Sequence, residues 1–189
     1  MKKVLVLLAE GFEDVEAITP IDYLRRAEIE VTTVSLGKTL AVMSSHDIQV
    51  NADVSLESIM DKPASAWDGI VVPGGLPGTD NIAASKEACA FIKKMNTEGK
   101  LVAAICAAPA RVLAPLGLLD GKKFTCYPGE EKKVNSPGAE YNQAKAVVDG
   151  NIVTSQGPGT AGQFACAIVG KLLGESEAAE IADMVLLTS

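Results

Sequence analysis

Five short apolar runs, spaced along the chain, decide what kind of fold it can adopt. They read as strands: "KKVLVLL" at 2–8, "EVTTVSL" at 30–36, "GIVVP" at 69–73, "LVAAI" at 101–105 and "NIVTS" at 151–155. A strand that is apolar along its whole length needs cover on both faces, which is typical of parallel sheets. The runs therefore predict an α/β fold with a mostly parallel sheet and helices on both faces.

Apolar residues at helical spacing fill most of the gaps between these runs. We predict one helix over 13–27, one over 81–99, and two more over 159–173 and 175–187. The stretch "LAVMSSHDIQVNAD" at 40–53 departs from this rhythm, because two short alternating segments flank a polar turn. There we expect a small β-hairpin added to the main sheet.

The length, charge and cysteines of the chain exclude several classes of protein. Its 189 residues predict one domain over residues 1–189. A net charge of −7 with no basic patch argues against nucleic acid as a partner, and no run approaches the ~18 apolar residues of a membrane span. The four cysteines contain no C-x-x-C pair, so we expect neither a metal site nor a redox dithiol, and a cytoplasmic location.

The cysteine at position 106 lies where a buried strand ends and a helix is expected to begin. Small residues surround it, in the pattern Ala104-Ile-Cys106-Ala-Ala108. This resembles a nucleophile elbow with alanines in place of glycines. Unpaired N–H groups at the start of the following helix would lower the pKa of the thiol, so we expect a reactive thiolate. The alternative is a small buried apolar residue, which is our interpretation of Cys89 and Cys166.

Glycine-rich segments follow two other predicted strands. The N–H groups of Gly74 and Gly75 could form an oxyanion hole beside the sulfur, although an ordinary turn is an equal alternative. The segment "GPGTAG" at 157–162 matches G-x-G-x-x-G, but no strand follows its helix, as dinucleotide binding would require. We therefore expect no cofactor, and we expect Gly157 and Pro158 to shape the wall of a pocket.

Four acidic residues crowd the first turns of the first predicted helix: Glu10, Glu13, Asp14 and Glu16. Carboxylates complement the dipole at a helix N-terminus, which explains most of them. One could instead face Cys106, where an apolar site would keep it protonated and able to exchange a proton with substrate. Spacing alone does not choose which.

The chain has one histidine, His46, in the predicted hairpin. It lies far from every strand end named above, so we expect it to have a surface role. A cysteine hydrolase of the usual kind needs a histidine base, and none is expected near Cys106. Proton transfer between carbon atoms therefore suits the predicted site better than amide cleavage.

Four motifs in order, "LAEGFEDVEAITPID", "VVPGGLPGTDNI", "VAAICAAPARVLA" and "TSQGPGTAGQFACAIV", resemble the ThiJ/PfpI superfamily, and within it the DJ-one branch. The similarity runs over essentially the whole chain. It implies a class I glutamine amidotransferase-like domain with a flavodoxin-like three-layer sandwich, a homodimer and a readily oxidised cysteine at the elbow.

The resemblance also assigns roles to individual residues. Cys106 matches the nucleophile, Glu16 the protonated glutamate beside it, and Gly74, Gly75 and Ala107 the backbone around the anion site.

One position departs from the pattern of the family. Many members carry a histidine before a proline in the pocket, where this chain reads "FTCYPG" with Tyr127. Tyrosine can donate a hydrogen bond but is a poor base near neutral pH. Turnover is therefore expected to be slower, or to depend on Glu16 alone.

Members of the family have been assigned glutathione-independent glyoxalase activity, deglycase activity, chaperone behaviour and oxidative-stress sensing. The resemblance implies a cysteine-dependent enzyme, of glyoxalase III or deglycase type, that acts on methylglyoxal, glyoxal or their adducts without a cofactor. The Gly75 and Cys106 amides would hold the oxyanion of a hemithioacetal, while Glu16 moves a proton through an enediol. The alternative is a non-enzymatic redox sensor or chaperone, in which Cys106 is oxidised to a sulfinate that Glu16 hydrogen-bonds.

Overall fold

A seven-stranded sheet forms the centre of the molecule in the computed structural model, which describes residues 1–187. The strands of the chain are β1 (Lys3–Leu8), β2 (Glu30–Ser35), β3 (Ala41–Met43), β4 (Gln49–Asn51), β5 (Val54–Ser55), β6 (Gly69–Val72), β7 (Leu101–Ile105), β8 (Lys123–Phe124), β9 (Glu140–Tyr141), β10 (Ala146–Asp149) and β11 (Ile152–Ser155). The order in the main sheet is β10-β11-β7-β6-β1-β2-β5. Only β10 is antiparallel to its neighbour.

The described residues also form five α-helices and several single turns. The α-helices are α1 (Asp14–Arg26), α2 (Gly78–Ala84), α3 (Lys86–Thr97), α4 (Ala161–Leu173) and α5 (Glu175–Met184). A short π-helical turn (Pro109–Leu113) follows β7, and 3-10 turns lie at Glu57–Ile59, Ala64–Ala66, Glu130–Lys133 and Pro158–Thr160. No helix within residues 1–187 has the length and hydropathy of a bilayer-spanning segment.

Each face of the sheet is covered by helices and carries its own apolar core. On one face, Phe91 and Ile92 of α3 pack with Val112 of the π-helical turn. On the other, Leu24 of α1 and Phe164 of α4 pack together with residues of α5. The predicted three-layer arrangement is confirmed, and its central strands are apolar on both faces because both faces are covered.

The largest difference from the predicted elements is a break in the helix expected over 81–99. Ser85 adopts an extended conformation between α2 and α3, and its hydroxyl accepts a hydrogen bond from the Ala88 N–H at 3.1 Å. Serine is a favoured residue at such a cap, so a second helix begins there. The hairpin expected over 40–53 is present, with β3 antiparallel to β4.

The strand order determines where a ligand can bind. The strand order β2-β1-β6-β7-β11 within the sheet is the flavodoxin-like order. The direction in which successive strands are added to the sheet reverses between β1 and β6. In open α/β sheets the crevice beyond the carboxyl ends of the strands at that point is the usual binding position. The segments after β1, β6 and β7 therefore meet at one edge of the sheet.

Candidate active site

A cavity of about 470 Å³ opens at this edge of the sheet. Most of the predicted site residues line it: Cys106, Glu16, Gly75, Ala107, Tyr127 and Pro158. The two others, Gly74 and Gly157, lie directly behind lining residues, as described below. The structure thus brings together residues that are up to 142 positions apart in the chain, from Glu16 to Pro158.

The backbone at Cys106 is held in a conformation that is uncommon for a residue with a side chain. Its φ is +65°. The Cys106 N–H donates to the Ser155 carbonyl at 3.0 Å, and the Cys106 carbonyl accepts from the Tyr127 N–H at 2.8 Å. Strained backbone of this kind persists only where neighbouring contacts such as these hydrogen bonds hold it. In this conformation the half-buried thiol lines the cavity.

Glu16 lies in the first turn of α1 and is fully buried. Its Oε2 accepts a hydrogen bond from the Gly74 N–H at 2.9 Å. Its own N–H donates to Oε2 of Glu13, the residue that caps α1, at 2.7 Å. The Oε1 atom of Glu16 is buried without a hydrogen-bond partner among the described residues. This oxygen is therefore the one available to a substrate.

The thiol and the carboxyl beside it both have displaced pKa values. Burial raises the pKa of Glu16 to about 7, helped by the Glu13 charge and opposed by contact with the Cys106 thiol. Burial, then the Glu16 carboxylate, raises the pKa of Cys106 to about 12, although the N–H groups of Ala107 and Gly75 act in the opposite direction.

The lowered thiol pKa expected from the sequence is therefore wrong for the resting site. Only a five-residue π-helical turn follows the elbow, and burial outweighs the two amides. When Glu16 is protonated, its charge no longer opposes the thiolate. The thiol of Cys106 and the carboxyl of Glu16 thus exchange protons as a coupled pair.

Two of the amides expected to hold an oxyanion are already used. The Gly74 N–H donates to Glu16, and the Cys106 N–H donates to Ser155. The amides of Gly75 and Ala107 face the sulfur instead. A Cβ atom at Gly74 would come within 2.5 Å of the Cys106 Cβ and within 3.1 Å of its Sγ, so this position has room only for glycine.

Tyr127 and the segment after β11 form the opposite wall. Tyr127 is half exposed and lines the cavity together with Pro158. A Cβ atom at Gly157 would lie 3.4 Å from the Tyr127 ring and 3.8 Å from Oε1 of Glu16. These are ordinary van der Waals distances, so space does not require glycine here, and Gly157 lies beside both side chains in the wall of the cavity.

The position of His46 differs from the prediction. Its side chain is 67% exposed, as expected, but the residue lines the same cavity as Cys106. The loop between β3 and β4 packs against the end of β1, because the Ser45 N–H donates to the Phe12 carbonyl at 2.7 Å and the Gly11 N–H donates to the Met43 carbonyl at 2.8 Å.

Four further residues that were not predicted line the cavity: Glu13, Ser45, Leu76 and Glu130. The sequence carries a signal for two of them, since Glu13 belongs to the acidic cluster and Leu76 follows Gly75 in the glycine-rich segment. No local pattern marks Ser45 and Glu130, which reach the cavity through contacts between distant segments.

The candidate metal ligands near the cavity already take part in hydrogen bonds, and within residues 1–187 the glycine segment at 157–162 lacks the elements that a dinucleotide site needs. Ligand atoms of Glu13, Asp14 and His46 lie within 4.8 Å of one another, but His46 Nδ1 and Asp14 Oδ2 are 2.7 Å apart, which is a hydrogen bond. One Glu13 oxygen is used as a helix cap. After the glycine segment at 157–162 only α4 and α5 follow among the described residues, so the strand required for dinucleotide binding is missing there.

Comparison with known proteins gives a consistent result. The family model described as "DJ-1/PfpI family" matches residues 2–171. Protein DJ-1 homolog B of Arabidopsis thaliana is 41% identical over 186 residues, which cover 98% of this chain and 42% of the relative, so the chain spans less than half of that protein's length. A deglycase of Pyrococcus abyssi is 36% identical over 83% of this chain and 91% of its own. The structure of oxidized Toxoplasma gondii DJ-1 is 36% identical, covers 100% of both chains and superposes with a TM-score of 0.93.

Proposed function

Since the chain belongs to the DJ-1/PfpI family, in its DJ-1 branch, we propose that it is a cysteine-dependent, glutathione-independent glyoxalase or deglycase. Its substrates would be methylglyoxal, glyoxal or the adducts that they form. The observation that carries the proposal is the Cys106 thiol, held at an elbow in a cavity beside the buried Glu16 carboxyl. A relative over most of this chain is named a deglycase, which supports the same reaction class.

The first step would be addition of Cys106 Sγ to the aldehyde carbon. Because its pKa is about 7, Glu16 is partly ionised near neutral pH and can take the thiol proton as the S–C bond forms. The carbonyl electron pair moves to oxygen, beside the free N–H groups of Gly75 and Ala107. Glu16 then gives its proton to that oxygen, which completes a hemithioacetal.

The second step would be an internal oxidation and reduction. The Glu16 carboxylate removes the proton from the carbon bound to sulfur and returns it to the neighbouring carbon through an enediol. The first carbon is thereby oxidised to a thioester and the second is reduced to an alcohol, so no external oxidant is needed. Water then breaks the C–S bond and releases lactate from methylglyoxal, or glycolate from glyoxal.

Lactate formation from methylglyoxal without glutathione tests this proposal. We expect the parent protein to form lactate, and we expect Cys106→Ser and Glu16→Gln each to reduce the rate at least a hundredfold, because each removes a group that bonds or moves a proton. Cys89→Ser in α3 is the control and should keep the parent rate. Equal rates for Cys106→Ser and the parent would contradict the proposed mechanism.

A redox sensor or chaperone that protects against oxidative stress is the second candidate. It is favoured by one observation, the buried Glu16 carboxyl, which contacts the Cys106 thiol and could hydrogen-bond an oxidised Cys106 side chain. The same preparation distinguishes the two functions. Absence of lactate from the parent protein, together with selective oxygen addition to Cys106 in dilute peroxide by peptide mass spectrometry, would support the sensor.

A further inference from the structure

The last step of the proposed reaction needs a base that the sequence analysis did not find. Water must lose a proton as it attacks the thioester on Cys106. Tyr127, which lines the cavity, is a poor proton acceptor. Glu16 is fully buried with one carboxyl oxygen bound to the Gly74 N–H, and in the proposed reaction it serves the carbon atoms of the substrate. A base at the solvent side of the cavity would meet the incoming water first.

His46 lies at that side of the cavity. Its side chain is two-thirds exposed, the Cys106 thiol is half-buried, and both line the same cavity, so the imidazole is the more accessible of the two to solvent. Nδ1 is 2.7 Å from Asp14 Oδ2 and 3.2 Å from the Ser45 hydroxyl. Nε2 makes no hydrogen bond with any residue of the described chain.

These contacts determine which ring nitrogen of His46 can accept a proton. Asp14 is held in place because it lies in the first turn of α1, next to the capping residue Glu13. A carboxylate on Nδ1 favours the proton on that atom, so the lone pair of the neutral ring is on Nε2. The pair thus has the arrangement that a histidine general base needs.

We propose that His46, oriented by Asp14, is the general base that activates water for hydrolysis of the Cys106 thioester. The inference rests on the proposed glyoxalase function. Nε2 takes a proton from water as the oxygen bonds to the thioester carbon, and the carbonyl pair moves to oxygen. The electron pair on oxygen re-forms the carbonyl bond as the C–S bond breaks, and the imidazolium gives its proton to the leaving sulfur. Lactate and the thiol are released, and His46 is neutral again.

The charges around His46 predict how the reaction depends on pH. Asp14 and Glu13 of α1 and Asp47 of the same loop face the ring, and together they raise its pKa, with the Asp14 hydrogen bond as the main cause. The base is active above this pKa and is lost as the pH falls through it. Asp14→Asn removes the nearest negative charge, so it should move to lower pH the acidic limb of the rate at which the Cys106 adduct is hydrolysed.

The test follows both lactate and the covalent adduct on Cys106 in His46→Ala. We expect lactate formation to fall about a hundredfold, while a methylglyoxal-derived adduct accumulates on Cys106 by peptide mass spectrometry. Because the site of the missing ring is open to solvent, added imidazole should restore the rate and remove the adduct. Gln49→Ala, an exposed substitution in the same hairpin, is the control and should behave as the parent.

The outcomes separate this inference from the proposed function. A parent protein without lactate would overturn both. An active parent with an equally active His46→Ala would overturn only the role of His46. If His46→Ala formed neither lactate nor the Cys106 adduct, the role of His46 in hydrolysis would also be overturned, since His46 would then act before the thioester forms. An unchanged pH profile in Asp14→Asn would contradict the role of Asp14 as a positioning residue.

Discussion

Gly74 is the residue on which the floor of the cavity depends most. Its N–H holds the Glu16 carboxylate, and its Cα faces the side chain of Cys106. Any added carbon would overlap both the carboxyl oxygen and the cysteine Cβ. The contact between thiol and carboxyl therefore exists because a third residue contributes no side chain.

Replacement of this glycine tests that packing directly. Gly74→Ala should reduce lactate formation at least a hundredfold and lower the free energy of unfolding by about 1–3 kcal/mol, because the methyl group forces Glu16 and Cys106 apart. Gly159→Ala is the matched control, since a Cβ there meets no atom within 4 Å. Urea denaturation and the lactate assay measure the two effects. A Gly74→Ala variant with the parent rate would show that the contact is not needed.

At the scale of elements, Arg111 connects the turn after the elbow to two neighbouring segments. Its Nε is 2.8 Å from Glu130 Oε2, and its Nη1 is 2.8 Å from Asp80 Oδ1 in α2. Lys133 adds a second cation to Glu130 at 2.6 Å. Arg111 and Glu130 are largely buried, and Glu130 lines the cavity. These ion pairs thus join the wall of the cavity to the turn that follows Cys106.

Removal of the arginine should cost stability in a pH-dependent manner. Arg111→Met should lower the free energy of unfolding by about 1–3 kcal/mol near neutral pH, since Glu130 loses its main partner. Hydrogen bonding to Arg111 lowers the pKa of Glu130 from 4.5 to about 2, so this stability is present above pH 4.5 and is lost as the pH falls toward 2. The difference between variant and parent should therefore shrink in acid.

Urea denaturation at pH 7 and pH 3 would measure this change. Arg26→Met, which breaks only an exposed i,i+4 pair with Asp22, serves as the control, with an effect below about 0.5 kcal/mol. A constant difference between Arg111→Met and the parent at both pH values would contradict the coupling to Glu130.

At the scale of the whole molecule, ionisation of the buried Glu16 lowers the free energy of unfolding at high pH. Glu16 has a pKa of about 7 in the fold and 4.5 as its ordinary value, so the folded chain binds this proton more tightly than the unfolded chain. Stability from that proton is complete below pH 4.5 and is lost as the pH rises through 7. A difference of this size corresponds to about 3 kcal/mol.

Glu16→Gln should remove this dependence. We expect the variant to be more stable than the parent at pH 8 by up to about 3 kcal/mol, with little difference at pH 4, because a neutral amide needs no proton to remain buried. Urea titrations at the two pH values measure the effect. Glu180→Gln on the exposed face of α5 is the control. If the difference in free energy of unfolding between Glu16→Gln and the parent were the same at both pH values, the raised pKa of Glu16 would be contradicted.

The sequence was sufficient for the parts of the fold that depend on local pattern. Every strand of the central sheet that is buried on both faces was predicted to within one or two residues, because each is a continuous apolar run. The break at Ser85 was not predicted, since helical spacing continues across it and only the hydroxyl contact shows the second start. The position of His46 at the cavity could not be predicted from the sequence, because it depends on backbone contacts between residues 11–12 and 43–45.

The hydrogen bond from Cys106 to Ser155 has a consequence for the biosynthesis of the chain. A ribosome releases β7 and the cysteine about fifty residues before β11, so the backbone N–H of Cys106 has no Ser155 carbonyl to bind until late in translation. The backbone conformation that directs the thiol into the cavity is therefore completed only after β11 has been made.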